Sequence, residues 1–230
     1  MPRAHRGEEG RSDILEAAAT LLASHGYHGM SMRDLARATG MSLANLYNYF
    51  ESKEELAFAL QTRAFETLIA AADEAVAGAD GAPSRLYAFI LGHVRYVATH
   101  RDVMRVLVEE AGELPPAKRR AIRALKERYF ALGRRLVAAV APRGRGRNRE
   151  LELDRVTFSV FGMLNWVYAW YDPARHGAPH DVARSIHRVA LGGLRGRAPA
   201  VLAATERAVE RMQLRSPVRR RAAARGSRAR

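Results

Sequence analysis

Three serines, Ser31, Ser42 and Ser52, stand so close together that any helices they open leave room for only two short ones before a third. Ser31 is followed by Asp34, and Ser52 by Glu55, at the spacing with which a hydroxyl and a carboxylate satisfy each other's free amides at a helix start. Ser42 is a third N-cap of the preferred residue type. Two very short helices therefore precede a longer one, and helices that short hold only when packed against neighbours. Gly40 supplies the tight turn between the two. From Lys53 to about Ala77 the apolar positions Leu56, Leu60, Ala64, Leu68 and Ala72 describe one long helix, broken by the Gly78–Pro83 stretch. Upstream, Ile14, Leu15, Ala18, Leu21 and Leu22 form one face of a helix over 12–25, which His25-Gly26 ends.

The same 3.6-residue period continues through 84–99, 102–112, 116–140, 152–171, 179–195 and 199–214, and no segment alternates as a strand would. The fold class is all-α: an N-terminal three-helix head followed by a larger helical domain. The expected division is 1–55 for the head, 56–215 for the second domain, and 216–230 for a disordered basic tail. The loop Pro142-Arg143-Gly144-Arg145-Gly146-Arg147 has nothing to pack in a core.

The chain holds no cysteine, which removes disulfides, thiolate metal sites and cysteine nucleophiles and fits a reducing cytoplasm. No apolar run approaches the roughly 18 residues that cross a bilayer, and no hydrophobic signal core follows Met1, so a soluble cytoplasmic protein without membrane contact is expected. A net charge of +14 suggests polyanionic partners, but the head contributes none of it, carrying 6 cations against 8 carboxylates over residues 1–55. Residues 114–149 hold 12 of the 38 cations against a single carboxylate. Charge alone therefore does not place a DNA site at the N-terminus; a motif has to.

Residues 31–50 read SMRDLARATGMSLANLYNYF. Leu35 and Ala36 face inward from the first short helix, and Met41, Leu46 and Phe50 return to the same small core. This is the spacing of a helix-turn-helix, whose second helix enters the major groove. Leu43, Ala44, Asn45, Tyr47, Asn48 and Tyr49 then share its remaining faces. Asn45 and Asn48, about one turn apart, suit base edges or phosphates, and Leu43 or Ala44 can meet a thymine methyl. Tyr47, Tyr49, Ser42 and Lys53 suit phosphates, the last two from helix starts that favour anions. The competing reading is an ordinary helical hairpin in which the same residues are core and caps.

The segments Ile14-Leu15-Glu16-Ala17-Ala18, Leu21-Leu22, Gly26-Tyr27, Ser31-Met32-Arg33-Asp34-Leu35-Ala36 and Leu46 to Leu56 together resemble the TetR family of bacterial transcriptional regulators over about residues 11–57. The resemblance implies DNA binding by the first three helices and the start of the fourth, with ligand binding and dimerisation in the rest. It implies that Arg33, Leu43, Ala44, Asn45, Tyr47 and Tyr49 face bases or backbone and that Lys53 meets a phosphate. Two departures stand out: the family often has His in place of Tyr49, and Thr or Ser in place of Asn45. The implied partners are double-stranded operator DNA, a second copy of the chain and a small-molecule effector.

In 152–171, Leu153, Val156, Val160, Leu164, Val167 and Tyr171 form one face, with Phe158, Phe161, Asn165 and Trp166 on the other; a helix apolar on nearly all sides is buried on all sides. Together with 179–195 it could complete a four-helix dimer interface, or both could pack within one subunit. The run from Phe161 to Pro173 is similar to the corresponding helix of TetR-family members that sense acyl-CoA thioesters. The basic residues Lys118, Arg119, Arg120, Arg123, Lys126, Arg128, Arg134 and Arg135 would suit coenzyme phosphates, or equally a solvated or DNA-attracted face. His93, Tyr96 and Met104, with Tyr129, Phe158, Phe161, Asn165 and Trp166, are the candidate lining of a ligand pocket, each also compatible with plain core packing.

No cofactor, metal site or enzyme motif is expected: the catalytic glycine, serine and histidine signatures are absent, and His93 with His100 lacks a third ligand. Glu109, Glu110 and Glu113 read as a solvated acidic helix end. The rival function is a nonspecific nucleic-acid-coating protein driven by the arginine-rich tail through counterion release.

Overall fold

The structure, a computed structural model, describes residues 3–109, 114–142 and 147–195. The expected helix at 199–214, the basic tail, the middle of the 142–147 loop, and Glu110 and Glu113 lie outside the described residues. Every described element is helical: α1 Arg3–Gly29, α2 Met32–Thr39, α3 Leu43–Tyr49, α4 Lys53–Ala77, α5 Ala82–Thr99, α6 Arg101–Glu109, α7 Pro116–Val140, α8 Arg147–Asn165, α9 Val167–Trp170, α10 Pro173–His176 and α11 Pro179–Arg195. No described helix is long and apolar enough to cross a membrane.

The three serine caps form as the spacing predicts. Ser31 and Asp34 close a reciprocal capping box, the Asp34 amide donating to the Ser31 hydroxyl at 3.2 Å and the Ser31 amide to the Asp34 carboxylate at 2.8 Å. Ser42 accepts from the Asn45 amide and Ser52 from the Glu55 amide, each at 3.1 Å. The box at Ser52 is one-sided: the Glu55 carboxylate instead takes the Lys118 ammonium of α7 at 2.6 Å. That bond fastens the head end of α4 to the larger helical part. At Gly26 the backbone swings to φ 70°, a region favoured by glycine, so α1 breaks there and one further helical turn leads to Gly29.

Ile14, Leu15, Ala18 and Leu22 of α1, Leu35 and Ala36 of α2, Leu46 and Phe50 of α3, and Leu56 and Leu60 of α4 bury together. Leu46 is completely enclosed, so truncating it to alanine would cost about 2–5 kcal/mol. Beyond the head, α4, α5 and α7 pack against one another, α8 lies on α7, and α1 rests on α6 as well as on α2 and α4. Gly133 lets α7 approach the Phe161 ring of α8 closely: a Cβ there would stand 2.7 Å from that ring and 3.2 Å from Phe89.

Two expectations need correction. The 152–171 helix is not continuous: it stops at Asn165, turns at Trp166 and resumes as the single-turn α9. Nor is it buried on all sides. Leu153, Val160 and Leu164 are core, whereas Phe158 and Trp166 are 64% and 60% exposed. An apolar stripe left partly exposed among the described residues explains the sequence as well as full burial does.

Candidate DNA-binding face and ligand cavity

The outward face of α3 is set by what anchors its inward face. Leu46 and Phe50 are enclosed, and the Arg11 guanidinium lies over the Phe50 ring at 4.3 Å while donating to the Tyr49 carbonyl at 3.1 Å. With α3 thus fixed to α1, Ala44, Asn45, Tyr47 and Asn48 are exposed, as are Ser42 at its start and Arg33 on α2. Leu43 is half-buried against the core. Tyr49 is also half-buried, its hydroxyl lying where a side chain at Gly10 would have to go, 2.9 Å from an ideal Cβ. Arg37, one turn after Arg33, is exposed too and pairs with Asp34. The Ser31 hydroxyl and amide, and then Arg37, hold the Asp34 carboxyl below its usual range. Sequence reasoning missed Arg37, although its i+4 spacing from Arg33 was visible.

Lys53 is the residue of this group whose surroundings differ from expectation. Its ammonium donates to the Tyr27 carbonyl at 2.5 Å and the Met30 carbonyl at 2.9 Å, and lies 4.3 Å from the centre of the Tyr27 ring. Two of its three hydrogens close the end of α1. Lys53 thus clasps α1 to α4 through two carbonyls, with one hydrogen left over for another acceptor.

A cavity of about 310 Å³ opens among α4, α5, α6, α7 and α8. Of the expected lining, His93, Met104, Tyr129, Phe158, Phe161 and Asn165 meet there. Tyr96 and Trp166 do not. Tyr96 stacks on His100 at 4.4 Å and faces a separate 110 Å³ crevice with Arg63 and Val103, because it lies on the α1 side of α5. Trp166 sits at the α8–α9 break, in a surface groove with Met163, Trp170, Val182, Ile186 and Val189. Phe65, Leu68, Leu107, Val108, Lys126 and Phe130 complete the wall and were not anticipated. The periodicity marked Leu68 as inward, but not as facing this space.

The wall is mostly aromatic and aliphatic. Phe130 packs on Phe158 at 4.7 Å and on Phe161 at 5.3 Å, and Tyr129 on Phe89 at 5.1 Å. Its polar points are few. His93 is 2% exposed, with Nδ1 3.1 Å from the Tyr129 hydroxyl and, among the described residues, no partner at Nε2. Burial pushes the imidazole down to about 4 and the Tyr129 phenol up. Lys126 is lowered from its ordinary value by desolvation, and its nearest acceptor is the Leu107 carbonyl at 3.5 Å. Elsewhere the basic residues of α7 are partly paired, Arg128 with Asp73 and Arg134 with Glu150 and Asp154. Glu109 accepts from Arg105 and from the Tyr168 hydroxyl, and both bonds hold its carboxyl low. Among the described residues no three His, Cys, Asp or Glu side chains cluster as metal ligands.

Two short capped helices on a buried pedestal, the second presenting amides and a phenol to solvent, define a helix-turn-helix DNA-binding protein. Family models agree: residues 14–60 match the bacterial regulatory proteins of the tetR family, and residues 79–194 match the tetracyclin repressor-like C-terminal domain. The chain belongs to the TetR family of bacterial transcriptional regulators. It is 24% identical over 191 residues to the HTH-type transcriptional repressor KstR2 of Rhodococcus jostii, covering 82% of this chain and 93% of that one. Over 50 residues it is 44% identical to the repressor AcnR of Corynebacterium glutamicum, 22% and 27% of the two chains. A TetR-family regulator from Bordetella parapertussis superposes with a TM-score of 0.73 at 28% identity, over 79% of this chain and 93% of that one. AibR, solved with isovaleryl coenzyme A and operator DNA, shares the fold with a TM-score of 0.67 at 24% identity over 78% and 97%.

Proposed function

We propose that this regulator is a homodimeric repressor that occupies a palindromic operator and leaves it when a small apolar acyl compound, as thioester or acid, enters the α4–α8 cavity. The observation that carries the reading is the pairing of an outward Asn45–Tyr47–Asn48 face with a cavity whose wall includes α6, the helix that also touches α1. In this reading Arg33, Leu43, Ala44, Asn45, Tyr47 and Asn48 approach bases and backbone, and residues 1–55 act as the DNA-binding part. Ser42 and Tyr49 add phosphate contacts.

Dimerisation is supported by the exposed apolar surface on the last helices, where Phe158, Trp166 and Val189 are each about 60% exposed. One short recognition helix binds weakly, and two linked half-sites supply the affinity. Effector action then requires that the ligand prefer a conformation whose two heads are wrongly spaced for DNA. AibR, a relative in fold crystallised with an acyl-CoA and operator DNA, is a precedent for that combination. Nonspecific coating by the tail is not favoured, since residues 14–60 match the DNA-binding domain of a family of transcriptional regulators, which coating does not need.

Selection of duplexes from a random-sequence pool by the purified protein tests the reading. A two-fold symmetric consensus, bound by a version ending at residue 215 as selectively as by the full chain, is the expected result. Enrichment without a consensus, or its loss with the tail, would contradict it.

A further inference from the structure

The polar groups of the cavity constrain what it can hold more tightly than its size does. Tyr129 and His93 share one hydrogen bond, and its direction follows from hydrogen counting. If Nδ1–H donated to the phenol oxygen, both the buried hydroxyl hydrogen and the bare Nε2 lone pair would lack a partner among the described residues, whereas a donating phenol leaves only the Nε2 hydrogen unmatched. The phenol therefore donates to Nδ1, and Nε2 carries the imidazole hydrogen. That leaves Nε2–H as an enclosed donor without a partner. Among the described residues Lys126 is the one charged side chain on the wall, and no described carboxylate lies within ion-pair distance of its ammonium. Its other neighbour is the face of Phe65, 5.7 Å from the ring centre. Beside the Asn165 amide, which can both donate and accept, the described wall thus offers two donors, one of them cationic, amid aromatic rings.

Resting on the ligand-responsive reading above, we infer that the effector is a free apolar carboxylate, held by charge pairing to Lys126 with an acceptor oxygen toward His93 Nε2–H, rather than a coenzyme A thioester. A thioester carbonyl is neutral and leaves the half-buried ammonium without a counter-charge, and the polar bulk of the coenzyme has no counterpart on this wall. A carboxylate supplies both the charge and the acceptor, while its hydrocarbon lies on Phe130, Phe158 and Phe161.

The test is calorimetric titration of the full-length protein with decanoate, methyl decanoate and decanoyl-CoA, repeated on Lys126→Met and on Lys126→Arg, which keeps the charge. Decanoate should bind the native protein at least about tenfold tighter than its methyl ester, the worth of one charge-assisted hydrogen bond. Lys126→Met should erase that difference, and Lys126→Arg should retain most of it. Equal binding of acid and ester, a preference that survives Lys126→Met, or tighter binding of decanoyl-CoA than of decanoate would overturn the inference. Release of selected operator DNA, followed by fluorescence anisotropy, separates this claim from the broader one. Release by decanoyl-CoA with decanoate inert refutes the carboxylate assignment and leaves a ligand-responsive regulator. Failure of the ligand-free protein to select any duplex refutes the regulator reading itself.

Discussion

Thr20 of α1 donates its hydroxyl to the Asp102 carboxylate of α6 at 2.9 Å, so a side chain of the DNA-binding head is tied to the helix that lines the ligand cavity. The far side of α6 is held as firmly. Arg101 donates to the Tyr168 carbonyl of α9 at 2.5 Å, and the Tyr168 hydroxyl donates to Glu109 at 2.8 Å. Met104, Leu107 and Val108, between these ties, face the cavity. In the proposed reading, a displacement of α6 by a ligand would be passed to α1.

If that connection transmits the ligand signal, weakening it should reduce coupling more than operator affinity. For Thr20→Val the expected outcome is ligand-free operator binding within about threefold of native, while the factor by which effector weakens binding falls about fivefold. Anisotropy titrations with and without effector measure both quantities. An unchanged coupling factor would show that the head receives the signal by another route.

Lys53 distinguishes a clasp from a phosphate contact. Replacing it with methionine leaves the Tyr27 and Met30 carbonyls without their donor and should cost about 1–3 kcal/mol of stability. Thermal and urea unfolding read that loss. If Lys53 chiefly held a phosphate, stability would hardly change and the salt dependence of operator binding would instead fall by about one phosphate contact.

His93 gives the fold an acid weakness of predictable sign. The imidazole is neutral in the folded chain down to about pH 4, but in the unfolded chain it takes a proton near 6.5. The unfolded state therefore binds more protons between these values, and stability falls as the pH drops through 6.5, the loss ceasing to grow below about 4. Between pH 7.5 and 5 this amounts to about 2 kcal/mol. Urea unfolding at the two pH values should show that decrement in the native protein and lose most of it in His93→Asn. A decrement of the same size in both would place its origin elsewhere.

The head was legible because its instructions are local. Ser31, Ser42 and Ser52 state where helices start, Gly40 where one must end, and Leu46 with Phe50 which side faces in, all within a few residues of what they control. The cavity was only half legible because its members come from five helices, and periodicity tells that a side chain is inward without telling which inward space it meets. Tyr96 and Phe161 both have aromatic rings on amphipathic helices, yet they line different spaces. Lys126 was hidden differently: within a run of basic residues nothing local separates the one that turns toward Phe65 from those that pair with carboxylates or stay in water. The break at Trp166 also had no signal in the residue pattern, since no glycine or proline marks it.

The central claim is that the exposed face of α3 reads DNA. The direct measurement is fluorescence anisotropy of the selected operator and of a shuffled duplex, with the native protein and with Asn45→Ala/Asn48→Ala. Both positions are solvent-exposed, so the double variant should keep its melting temperature. The account predicts that its operator affinity falls at least about tenfold toward the shuffled value, while binding to the shuffled duplex stays within about threefold of native. A variant that still prefers the operator by the native ratio would contradict it.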